Sequence, residues 1–354
     1  MGGVMSDSNI YAGVAGFVGR PNDVGAHGVF RRRAEGGAWE QVLAEHEAYA
    51  VFVHPDDPGL VFAGTADGVW RSVDRGASFR RADFPDAGRQ VWSFLVSEGD
   101  PDRMYAGTSP IDVYRSEDRG ASWHRLPNPG IKERCAGPFA PRVMRLAQRP
   151  GRAEEIYAAL EIAGAMRTTD GGETWQDLSE DLVRLAELPH LRSAIVQRET
   201  QAEGMLDGHA IAISPAAPDM PIIALRMGLF RSRDGGGTWQ DMEVGRFSPT
   251  TYGRDIRVSP QDPNVLYTAL SVAADSRDGG VYRSTDAGET WQRFDRVQVN
   301  GTIMSIGLHP SDANQVYIGA RYGGEVFGTV DGGETWQAWP LPGPVKDIYA
   351  VACG

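Results

Sequence analysis

The chain has 354 residues, 41% of them hydrophobic, with a formal net charge of −12 and a pI near 5.1. That acidity argues against nucleic acid and anionic membrane as partners, although a local basic patch could still hold a small anion. Two cysteines, Cys135 and Cys353, do not make a disulfide framework, and no apolar run reaches the roughly 18 residues of a spanning helix.

The N-terminal stretch "MGGVMSDSNIYAGV" lacks the basic start and continuous apolar centre of a signal peptide. The expectation is a reduced, soluble, cytoplasmic protein. "NIYAGVAGFVG" then reads as the second strand of a sheet whose inner strand is missing. It leads into "GVFRRRAEGGAWEQV" from Gly28, the first of seven related segments. The others are "GVWRSVDRGASFRRA" from Gly68, "DVYRSEDRGASWHRL" from Asp112, "GAMRTTDGGETWQDL" from Gly164, "GLFRSRDGGGTWQDM" from Gly228, "GVYRSTDAGETWQRF" from Gly280 and "EVFGTVDGGETWQAW" from Glu325. Their closing aromatics are Trp39, Phe79, Trp123, Trp175, Trp239, Trp291 and Trp336, spaced by 40, 44, 52, 64, 52 and 45 residues. A constant core at variable spacing is one structural unit joined by loops of different length.

Each segment reads as strand, tight turn, strand. A short Asp side chain can accept hydrogen bonds from turn amides, and Gly tolerates positive φ. All seven copies keep the Gly and six keep the Asp; the first has Ala34 instead. Upstream lies a second pattern, strand, Pro/Asp turn, strand, as in "AYAVFVHPDDPGLVFAG" from Ala48 and "DIRVSPQDPNVLYTAL" from Asp255. Together they give the four strands of a propeller blade. Between the fourth and fifth copies, Ser179–Gly204 is predicted to hold the one helical insertion. Ser179 suits an N-cap, and Leu182, Leu185 and Leu188 follow at helical spacing; Leu191 and Ile195 resume it after Pro189. The final "VKDIYAVACG" reads as an inner strand with nothing after it. The expected fold is therefore all-β: a seven-bladed β-propeller of four-stranded antiparallel blades, closed by the C-terminal strand completing the first blade. Residues 1–354 would form one domain.

The pattern S-x-D-x-G-x-T-W resembles the Asp-box, or bacterial neuraminidase repeat, of sialidase-like propellers. Similar boxes occur in sortilin-type receptors, xyloglucanases and photosystem II assembly-factor propellers. The resemblance implies a scaffold, and function does not follow from scaffold. A sialidase would also carry an N-terminal (F/Y)RIP arginine; here the nearest match is "FRRRAEG" at Phe30–Gly36, so classical sialidase activity is not expected.

The Asp-box turns and the Pro turns fall on one face and read as structural, His54 and His309 included. The long variable loops fall on the other face, where binding and catalysis are usually found. The inner strands start there, at Asp347, Tyr49, Trp92, Met144-Arg145, His209, Arg254-Asp255 and Met304. The candidate site follows. His209, Asp207 and Asp255 are candidates for acid–base work of a hydrolase or lyase type. Arg145, Arg254, Trp92, Tyr252, Glu161, Arg142, Asp347 and Tyr49 are candidates for binding. The ligand would be a small polar or anionic metabolite. The alternatives are a non-enzymatic protein-binding or assembly module, and a sialidase-like glycoside hydrolase. No cofactor or metal is required; a divalent-metal variant would recruit His209 with His27 or His46. Cys135 is a conceivable nucleophile. The helical insertion is either rim decoration or a lid.

Overall fold

A computed structural model describes residues 8–16, 25–132, 134, 139–191 and 205–354. Its strands form seven four-stranded sheets, every neighbouring pair antiparallel. Each sheet is a blade, and the blades stand in a ring. Their inner strands are Asp347–Cys353, Ala48–His54, Gln90–Ser97, Arg142–Arg149, Gly208–Ala212, Tyr252–Val258 and Ile303–Leu308, from the first blade to the seventh. As expected from the sequence, the C-terminal strand Asp347–Cys353 pairs with Asn9–Ala15 and completes the first blade. Closure in this way gives Asn9–Ala15 a partner on its inner side, so that strand is not left as an exposed edge.

The repeated turn shows why its letters recur. In the second blade, the Ser72 hydroxyl donates to Asp74 Oδ1 at 2.7 Å and accepts from the Gly76 amide at 2.8 Å. Asp74 in turn accepts from the Ser78 amide at 2.9 Å and the Ser78 hydroxyl at 2.6 Å. The same pattern recurs around Asp118, Asp170, Asp234, Asp286 and Asp331. These bonds favour the charged form: the Ser78 hydroxyl above all holds the Asp74 carboxyl at about 2. The glycine has a second duty. Gly120 has φ +72, and a Cβ there would meet the Phe62 ring of the preceding blade at 2.4 Å. Gly76 stands likewise against Tyr11, and Gly333 against Phe294. The box thus closes an outer corner and lets the preceding blade pack against it.

The helix spans Glu180–Ala186. Ser179 precedes it but does not cap it: its hydroxyl donates to the Ala163 carbonyl at 2.8 Å and accepts from the Ala165 amide at 3.1 Å. Ser179 therefore ties the helix start to its own blade. Leu182, Leu185, Ala186 and Leu191 join an apolar cluster with Leu178, Phe230 and Trp239, between the fourth and fifth blades. The described part of the insertion is packed on the rim. Residues 192–204, with Ile195, and Cys135 lie outside the described residues.

Candidate functional site in the central channel

Every inner strand carries a β-bulge at the same level. The pairing of Ala48 with Thr65 and of Ala50 with Gly64 leaves Tyr49 as an extra residue. Trp92, Met144, His209, Arg254, Met304 and Tyr349 are left over in the same way. A bulge turns the extra side chain out of the pleat, and all seven line a central cavity of about 260 Å³. The sequence alignment found six of these positions. In the first blade it chose Asp347, whereas the bulge falls two residues later, at Tyr349; with no Pro turn there, nothing in the sequence fixed the register.

The ring has an aromatic side and a polar side. Tyr49 stacks on Trp92 at 4.2 Å between ring centroids, and Tyr349 meets both edge-on. The Arg142 guanidinium lies 4.1 Å from the Trp92 ring centroid, a cation–π contact between blades. Asp347 pairs with Arg321 at 3.4 Å, outside the ring.

On the polar side the fourth, fifth and sixth blades meet in a buried cluster. Glu161 accepts from Arg142 at 2.8 Å and faces Arg254 at 3.5 Å and His209 Nε2 at 3.9 Å. Burial would push the Glu161 carboxyl up, but Arg142 and Arg254 override it and hold the group at about 2. His209 is pushed well below its ordinary value, first by burial and then by Arg254, so it is neutral. Its Nδ1 lies 2.7 Å from the Gly253 carbonyl, which can only accept, so Nδ1 carries the hydrogen. Nε2 then accepts from the Tyr252 hydroxyl at 3.1 Å. Asp207, paired with Arg226, is pushed up to about 6 by burial despite that partner.

Arg145 and Asp255 sit one step further down the channel, apart from this cluster. Asp255 is fully buried and accepts from the Ile306 amide at 2.8 Å and from Arg257 Nε at 3.0 Å. Arg145, from the fourth blade, reaches across to it at 3.2 Å. Arg145 Nε is buried with no hydrogen-bond partner. Arg257 was missed by sequence reading: it lies near the far end of its strand, past the level that the loops marked.

The cavity runs from the bulge ring towards the Asp-box face, where Val53, Val258, Pro260 and Leu308 line it. Within the bulge ring only Met144 is more than marginally exposed, whereas Phe52, Val53, Val258 and Leu308 are all half-buried. Solvent therefore reaches the described lining mainly from the Asp-box end. His27 and His46 do not line it. No three His, Cys, Asp or Glu among the described residues are grouped to hold a metal. His54 and His309 anchor the Pro turns: His54 Nε2 bonds the Pro101 carbonyl at 2.9 Å, and His309 Nδ1 accepts from the Ser311 amide at 3.2 Å.

Among known families, the BNR/Asp-box repeat matches residues 282–293, the box of the sixth blade. The chain carries Asp-box repeats on a seven-bladed propeller. The xyloglucanase Xgh74A of Acetivibrio thermocellus is 27% identical to this Asp-box propeller over 164 residues, 42% of the chain and 17% of the relative. The chain thus spans less than a fifth of the curated relatives it matches. In structure it is similar to the GH74 xyloglucanase from Xanthomonas campestris, with TM-score 0.60 and 17% identity over 93% of this chain and 46% of that one. It is also similar to YCF48 from Cyanidioschyzon merolae, with TM-score 0.59 and 16% identity over 87% and 90% of the two chains. A structure of YCF48 bound to D1 peptide aligns with TM-score 0.50 and 14% identity over 82% and 81% of the two chains. Identities this low speak for the fold alone. No helix among the described residues is long and apolar enough to cross a membrane.

Proposed function

We propose that this propeller binds a small anionic ligand in its central channel, through Arg145 and Arg257 with Arg254 behind them. One observation carries the reading. In a protein of net charge −12, the lining among the described residues contains three arginines and one neutral histidine and no Asp or Glu. A narrow channel with low-dielectric walls concentrates that positive field and attracts anions. The same lining supports binding over glycoside hydrolysis, which needs two carboxylates facing the sugar. Glu161 and Asp207 are both engaged by arginines, Arg142 and Arg226, and the His209 lone pair is engaged by Tyr252. The expected acid–base group thus serves in this reading as the scaffold that holds Arg254.

Titration calorimetry with sodium acetate and sodium sulfate tests the proposal. Heat of binding is expected with the native chain and none with Arg145→Met; equal binding by that variant would refute it. A second reading is a protein partner, with an acidic segment entering the same channel. It is favoured by the likeness to YCF48, which extends over most of both chains and includes a peptide-bound form. A pull-down abolished by Arg145→Met, with no small anion bound, would select it.

A further inference from the structure

We infer that the ligand is a monocarboxylate with an apolar tail, its head on Arg145 and its tail towards the Asp-box face. The inference rests on the reading of the channel as an anion site and adds the ligand's charge, polarity and orientation.

The charge comes from counting around Asp255. Arg145 and Arg257 share this one carboxylate, with Arg145 at 3.2 Å and Arg257 at 3.0 Å. One positive charge is left over at this pair, beside the charge that Arg254 and Arg142 leave over on Glu161. A carboxylate seated on Arg145 would cancel the charge left at the pair. The Arg145 guanidinium is pushed down to about 10 by burial, with Arg257 adding to the shift and Asp255 opposing it, as expected for a cation short of counter-charge. A carboxylate accepts from guanidinium through two oxygens in one plane, which suits the neighbouring planar groups of Arg145 and Arg257.

The tail follows from what borders these arginines. Val258 follows Arg257 on the same inner strand, and Leu308 and Phe52 line the cavity at the same end. All three are half-buried. Half-buried apolar side chains beside a cationic group form a surface that an amphipathic ligand would cover. The opposite end offers less room, because Tyr49, Trp92 and Tyr349 pack on one another there.

Calorimetric titration of the full chain with benzoate, benzamide, acetate and inorganic phosphate tests this. Benzoate should bind at least tenfold more tightly than acetate or phosphate, and the neutral isostere benzamide should not bind. Leu308→Ser and Val258→Ser should weaken benzoate at least fivefold and leave acetate within twofold, while Met304→Ser at the ring end should change neither; thermal melts check that each variant is folded. If acetate and phosphate match benzoate, or if only Met304→Ser weakens it, the inference fails and the anion site stands. If no anion binds, the underlying reading fails as well.

Discussion

Arg145 and Glu161 are both charged and both close to arginine or carboxylate partners, yet they should respond to mutation in opposite ways. Arg145 is about a quarter exposed, and Asp255 keeps Arg257 and the Ile306 amide when it is removed. Arg145→Met should therefore abolish anion binding with little change in melting temperature. Glu161 is buried between Arg142 and Arg254. Glu161→Gln leaves two buried guanidiniums without their carboxylate, so it should cost about 3–5 kcal/mol in urea unfolding. Asp207 adds a pH signature. Its folded value of about 6 lies above the ordinary 3.8, so the folded state binds the proton more readily. Stability contributed by that proton is present below about pH 4 and is lost as pH rises through 6. Asp207→Asn should flatten the fall in unfolding free energy between pH 4 and 6; an unchanged slope would place the titration elsewhere.

The Asp-box turn recurs in six blades and the inner-strand bulge in all seven, one written plainly in the sequence and the other not. The turn was legible because its chemistry is local: Asp, Gly and a hydroxyl residue within a few positions satisfy one another. Even so, the contact of Gly120 with Phe62 crosses blades and could not be read from the turn. It predicts that Gly120→Ala lowers thermal stability more than Gly99→Ala. Both glycines have similar positive φ, +72 and +78, but only Gly120 has a neighbour within reach. Equal losses would mean that the backbone conformation alone matters. The bulges carry no constant letter, since the extra residue is Tyr, Trp, Met, His or Arg according to blade. The candidate residues were found by their nearness to the loops, and that nearness could not separate the Glu161 cluster from the Arg145–Asp255 pair. Separating them needed the cross-channel reach of Arg145 from the fourth blade to the sixth.

At the scale of the whole molecule, the ring brings seven different strand starts to one axis and excludes most carboxylates from the channel. Acidic groups lie largely on the outside, as the exposed Asp and Glu of the turns show, while Arg145, Arg254 and Arg257 point inward. The Asp-box face, structural in its turns, is also the end from which solvent enters the described lining. The most direct test is a crystal soaked with 4-bromobenzoate and measured at the bromine absorption edge. A single anomalous peak inside the channel near Leu308 and Val258, with the carboxylate on Arg145, is the expected result. A peak on the loop face above Tyr49 and Trp92, or no peak in the channel at all, would contradict it.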